Sequence, residues 1–74
     1  MFYEVYYEGH YSSVRRFKDF RNAYTAWIDM STENPAVKEI LMSGLERAEH
    51  RLRRESRIRL DYGDTILDTE YFED

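Results

Sequence analysis

Few side chains in this sequence could do chemistry unaided. His10 and His50 are its two imidazoles, a side-chain type used as general base and as metal ligand. His10 falls in an expected turn and His50 on an expected helix, not at metal-ligand spacing, and neither has an evident orienting base beside it in sequence. Ser12 and Ser13 lack an activating arrangement. Gly9, Gly44 and Gly63 stand apart, so no glycine-rich loop is available to cradle a phosphate. With no cysteine there is neither a thiolate metal site nor a disulfide. The sequence therefore predicts no catalytic residue, no bound metal and no cofactor. A core this small also leaves little room for an enclosed pocket of several hundred Å³.

Charge is the stronger signal. The net charge of −4 hides a division along the chain. Residues 1–45 hold five basic and six acidic side chains. Residues 46–60 hold six arginines and three glutamates, and residues 61–74 hold six acids and no base. Such sorting orients the electrostatic field, which bears on the choice of partner more than on the fold.

The basic block forms a stripe. On a helical wheel Arg47, His50, Arg51 and Arg54 cluster about 100° from the apolar face, with Arg53 close by. Like charges three and four residues apart repel mildly, so the concentration calls for a reason. One reason is ordinary: a solvated face, favoured near a helix C-terminus and partly neutralised by Glu46, Glu49 and the acidic end. The other is phosphate, meaning nucleic acid.

The acidic block is the second signal. Asp61, Asp64, Asp68, Glu70, Glu73 and Asp74 are interleaved with Tyr62, Tyr71 and Phe72. On a strand, alternate residues recur roughly every 6.6 Å along one face. That is comparable to phosphate spacing along a nucleic-acid strand. The plain reading is that Asp68 and Glu70 pair with Arg59 and Arg57 while the terminal acids keep a small protein soluble. The sharper reading is an acidic, tyrosine-bearing surface that occupies a basic groove on a larger protein.

These surfaces need elements to hold them. Residues 34–55 read as one long amphipathic helix of roughly 20 residues, or about 30 Å. Val37, Ile40, Leu41, Gly44, Leu45, Ala48 and Leu52 form its apolar side, and Asn34 and Pro35 mark its start. Gly44 on that face implies a close approach, by Trp27 of the preceding helix, or else a hinge. Residues 20–30 form that earlier helix, with Asp19 as its cap and Phe20, Ala23, Tyr24, Trp27 and Ile28 as its stripe.

Two hairpins flank the helices. Phe2 to Glu8 and Tyr11 to Phe17 read as strands joined by a two-residue turn at Gly9-His10. That register sets Val5 opposite Val14, Glu4 opposite Arg15, Tyr3 opposite Arg16 and Phe2 opposite Phe17. Residues 58–62 and 65–72 form the second hairpin around Gly63-Asp64. It closes on Tyr62 and Thr65, and sets Leu60 opposite Leu67, Arg59 opposite Asp68 and Arg57 opposite Glu70. The order β-β-α-α-β-β predicts one α+β domain over residues 1–74: an antiparallel β-sheet from two hairpins with two helices packed on one face. The expected core is Val5, Val14, Trp27, Ile28, Ile40, Leu41, Leu45, Leu52, Leu60 and Leu67.

At 74 residues the domain buries only about 60% of its unfolded surface. Association into a homodimer is one way to add stability. No apolar run spans a membrane, and the N-terminal residues lack the pattern of a signal peptide, so a cytoplasmic location is expected. The leading functional expectation is a protein-binding module without enzymatic activity, whose partner is a larger nucleic-acid-handling protein with a basic surface. By size and charge alone, small phage-encoded inhibitors such as anti-CRISPR proteins are analogous. The alternative is a nucleic-acid-binding regulator that uses Arg47, His50, Arg51, Arg53 and Arg54.

Overall fold

The computed structural model describes residues 1–70. Tyr71, Glu73 and Asp74, all expected at the acidic surface, lie outside the described residues. The chain forms β1 (Phe2–Tyr7), β2 (His10–Phe17), α1 (Phe20–Ser31), α2 (Pro35–Met42), α3 (Leu45–Glu55), β3 (Arg59–Tyr62) and β4 (Thr65–Glu70). The strands make one antiparallel sheet in the order β2-β1-β4-β3. The two hairpins thus meet through β1 and β4, and the helices cover one face. This is the expected α+β layer.

The second hairpin has the expected register. Arg59 lies opposite Asp68, Leu60 opposite Leu67 and Tyr62 opposite Thr65. Gly63 takes a positive φ of 56° in the turn, where its lack of a Cβ removes the steric cost. The ion pairs differ from the expected ones. Arg59 turns along its own strand to Asp61 at 3.0 Å, and Arg57 approaches Asp68 at 3.9 Å rather than Glu70.

The first hairpin departs by one residue. Its turn is Glu8-Gly9, with Tyr7 opposite His10. Gly9 therefore occupies the second central position, where it adopts φ 79°. Between Tyr7 and Val5 the register shifts. Two steps along β1 match five along β2, so an irregular bulge absorbs three residues of β2. Beyond it Tyr3 faces Phe17, Val5 faces Arg15, and Glu4 faces Arg16 with an ion pair at 2.9 Å. Val14 consequently leaves the core and turns to the uncovered side of the sheet.

The expected long helix is two helices. Asn34 caps α2 as its side chain accepts from the N–H of Ala36 at 2.9 Å, and Pro35 occupies the first helical position. At Ser43-Gly44 the ladder breaks, because the Gly44 N–H donates to the Leu41 carbonyl, a tighter three-residue bond. The cause lies in α1. The Tyr24 hydroxyl donates to the same Leu41 carbonyl, and a Cβ on Gly44 would stand 3.0 Å from that hydroxyl. Close packing at Gly44 is therefore the right reading, with Tyr24 rather than Trp27 as the neighbour. The break turns Ile40 outward to 69% exposure, which removes it from the expected core.

The core lies between α1 and the central strands. Tyr3, Val5, Phe20, Ala23, Tyr24, Trp27, Ile28, Ala48, Ile58 and Leu67 are buried together. Leu41, Leu45, Leu52 and Leu60 are half-buried against them. Tyr3 and Phe20 meet edge to face at 5.4 Å, a favourable aromatic arrangement. The Trp27 indole N–H donates to the Thr65 carbonyl at 3.1 Å, which satisfies a donor that burial would otherwise penalise. Asp19 stands at the N-cap position of α1, but its side chain makes no capping bond.

Candidate functional site

Strand alternation decides where each acid points. On β3 and β4, Leu60, Thr65, Leu67 and Thr69 face the helices, and Asp61, Asp68 and Glu70 face the opposite, uncovered side. Tyr62 belongs to the helix side and is 40% exposed. Asp64 is on neither face; it is in the turn. Of the four described acids expected as one surface, three thus share the uncovered face and Asp64 sits apart in the turn. Arginines also partly neutralise them. Arg57 approaches Asp68, whose carboxylate further accepts from the Thr69 N–H at 2.8 Å. Arg59 holds Asp61 through two hydrogen bonds, and the hydrogen bond to Asp61 raises the Arg59 pKa further above its ordinary value.

What the fold brings together instead is the pair of hairpin turns. The Glu8 N–H donates to the Asp64 carbonyl at 2.7 Å, so the two tips are joined by backbone. Glu8 and Asp64 then lie together at one end of the sheet, with Tyr7 and Tyr62 exposed beside them. Two contacts brace this end against α1. The Tyr7 hydroxyl donates to the Met30 carbonyl at 3.3 Å, and Trp27 bonds Thr65 from below. Glu8 and Tyr7 were not singled out in the sequence. Their role depends on β1 lying beside β4, and strand order leaves no local mark in the residues.

Beside this tip, Tyr7, His10, Ser13 and Asp64 line an open groove of about 330 Å³. A serine, a histidine and an aspartate converge there, yet among the described residues no hydrogen bond links His10 to either of the others. Among the described residues no group of three His, Asp or Glu side chains could hold a metal ion. No described helix is long and apolar enough to cross a membrane.

The basic residues stay together on α3. Arg51 pairs with Glu55 at 3.2 Å, one helical turn away. His50 and Arg53 line a shallow groove of about 220 Å³ with Arg21, Glu46 and Glu49, in which Arg21 and Glu49 pair at 2.9 Å. Among the described residues Arg47, Arg53 and Arg54 have no acidic partner within ion-pair distance. Arg53 and Arg54 lie in the last turn of α3, where positive charge opposes the negative end of the helix dipole. Ser56 ends the helix with φ 60° and returns its N–H to the Leu52 carbonyl. At the other end Arg47 faces Tyr24. Burial pushes the Tyr24 hydroxyl above its ordinary pKa, and the Arg47 charge partly opposes that shift.

No protein-family model matches this chain, and comparison with curated proteins and with solved structures finds no match.

Proposed function

We propose that this chain is a small protein-binding module that presents an acidic tip to a basic surface on a larger, nucleic-acid-handling protein. The observation that carries the reading is the backbone bond between the two hairpin turns. It holds Glu8 and Asp64 side by side on a braced edge with Tyr7 and Tyr62 flanking them. Carboxylates carried on joined backbone can stand in for phosphates, and tyrosine supplies rigid contact area at low entropic cost. Complementary charge speeds encounter and selects against acidic partners. A module of this kind blocks a nucleic-acid groove by occupying it, in the manner of a phage-type inhibitor.

The test is affinity capture from a lysate of the source cells, with Glu8→Lys/Asp64→Lys as control. Nucleic-acid-binding proteins retained by the native chain should be lost with the variant and released by duplex DNA. Equal retention by both would contradict the proposal.

One observation favours a second reading. Arg47, Arg53 and Arg54 are exposed without acidic partners among the described residues. Such a face suits direct binding to phosphate. That reading predicts that purified protein shifts labelled duplex DNA or RNA at physiological salt, and that Arg47→Glu/Arg54→Glu abolishes the shift.

A further inference from the structure

The sheet has two open edges, β2 and β3, and they are built differently. β2 is long, bulged and cationic, with Arg15 and Arg16 and no acid along it. Antiparallel pairing of two such edges brings like charges together, which protects an edge from self-association. β3 reads Arg59-Leu60-Asp61-Tyr62. Its basic residue precedes its acidic one, with Leu60 midway between them.

Backbone geometry makes this order consequential. The Thr69 N–H donates to the Ile58 carbonyl, and the Ile58 N–H donates to the Thr69 hydroxyl, so Ile58 directs its backbone groups toward β4. Along an antiparallel strand the direction alternates. Leu60 and Tyr62 therefore also address β4, while the N–H and C=O of Arg59 and Asp61 point outward. Among the described residues no hydrogen bond from another element reaches those four groups. β3 packs chiefly on β4 and on no helix to a comparable extent.

We propose that β3 is a self-complementary edge that pairs antiparallel with β3 of a second copy about a two-fold axis at Leu60. This register sets Arg59 opposite Asp61 of the partner copy twice over. It pairs all four outward backbone groups and places opposite charges directly across from each other. Leu60 meets its own counterpart on the helix side, and Tyr62 lies across from Ile58. Registers centred on Arg59 or on Asp61 oppose like charges instead. The result is a continuous eight-stranded sheet with the Glu8–Asp64 tips at opposite ends, so Glu8, Asp64 and Tyr7 stay open in both copies while Tyr62 borders the seam. The short edge makes the dimer a weak one, populated at about 100 μM.

Sedimentation tests this directly. The native chain should sediment as a dimer at about 100 μM. Arg59→Glu and Asp61→Arg should each sediment as monomers, because each makes the edge all one charge. An equimolar mixture of the two should regain the dimer, since the acidic edge of one complements the basic edge of the other. The swap Arg59→Asp/Asp61→Arg, which keeps both the pair within the strand and the complementarity, should dimerise as the native chain does. Amide exchange at Arg59 and Asp61 should slow with concentration while β2 amides do not change. A native chain that stays monomeric at about 1 mM overturns the proposal. So does a dimer that survives both single reversals, which would put the interface on another surface such as the exposed Ile40 of α2.

Discussion

The acidic tip and the arginine stripe differ in what stands behind them. The tip is two turns joined by backbone, on a sheet whose central strands are buried beneath α1. The stripe rides on α3, which contributes Ala48 to the core and only half-buried Leu45 and Leu52 beside it. The two sets of charge are therefore carried on differently packed supports. A preorganised surface loses less freedom on binding, which favours specific recognition. Long arginines on a lightly anchored helix suit adaptable contact with a diffuse phosphate lattice.

The comparison can be broken from the sheet side. Trp27 backs the tip through packing and through its bond to Thr65. Trp27→Ala should cost about 3–5 kcal/mol by chemical denaturation, enough to threaten the whole domain. A loss below about 1 kcal/mol would mean that α1 does not support the tip.

Leu52→Ala sharpens the contrast. The expected loss is about 2 kcal/mol, at the low end for leucine because the side chain is half-buried. Hydrogen exchange should show α3 amides opening first while β1 and β4 stay protected. Uniform loss of protection would make the two supports equal.

Tyr24→Phe tests the joint between α2 and α3. Removing the hydroxyl deletes the bond to the Leu41 carbonyl and should cost about 1 kcal/mol near neutral pH. It should also change the response to alkali. The Tyr24 pKa is raised in the folded chain, so its contribution is present below its ordinary value of 10.0 and is lost as pH rises through the higher folded value. The native chain should thus lose more stability above about pH 10 than the variant does. Parallel decline would remove Tyr24 from that role.

Ser56→Gly should have the smallest effect, a gain of about 0.5–1 kcal/mol. Ser56 occupies the left-handed region at φ 60°, which glycine adopts without a Cβ penalty. Any destabilisation would show that the serine side chain contributes more than its backbone conformation costs.

Much of the fold was legible in local chemistry. Asn34-Pro35 marks a helix start in two independent ways, and Gly63 between alternating residues specifies the second hairpin to the exact partner of Leu60. The first hairpin is ambiguous in sequence because Gly9 fits either central position of a two-residue turn. The bulge that follows has no residue signature of its own. The break at Gly44 was visible as an oddity, but its cause was not, since Tyr24 reaches it from a different helix. Ile40 obeyed the periodicity of one long helix and lost its place once that helix bent. The acidic tip was half-visible. Asp64 announced itself, whereas Glu8 joins it only through the β1–β4 pairing, a long-range choice that local residues do not encode.

The most direct test is a displacement titration. A captured partner is saturated with fluorescent duplex DNA, and purified protein is added while anisotropy is followed. The native chain should displace the DNA. Arg47→Glu/Arg54→Glu should displace it equally well. Glu8→Lys/Asp64→Lys, folded by circular dichroism, should need about 100-fold more protein. Displacement retained by the acidic-tip variant and lost by the arginine variant would contradict the account.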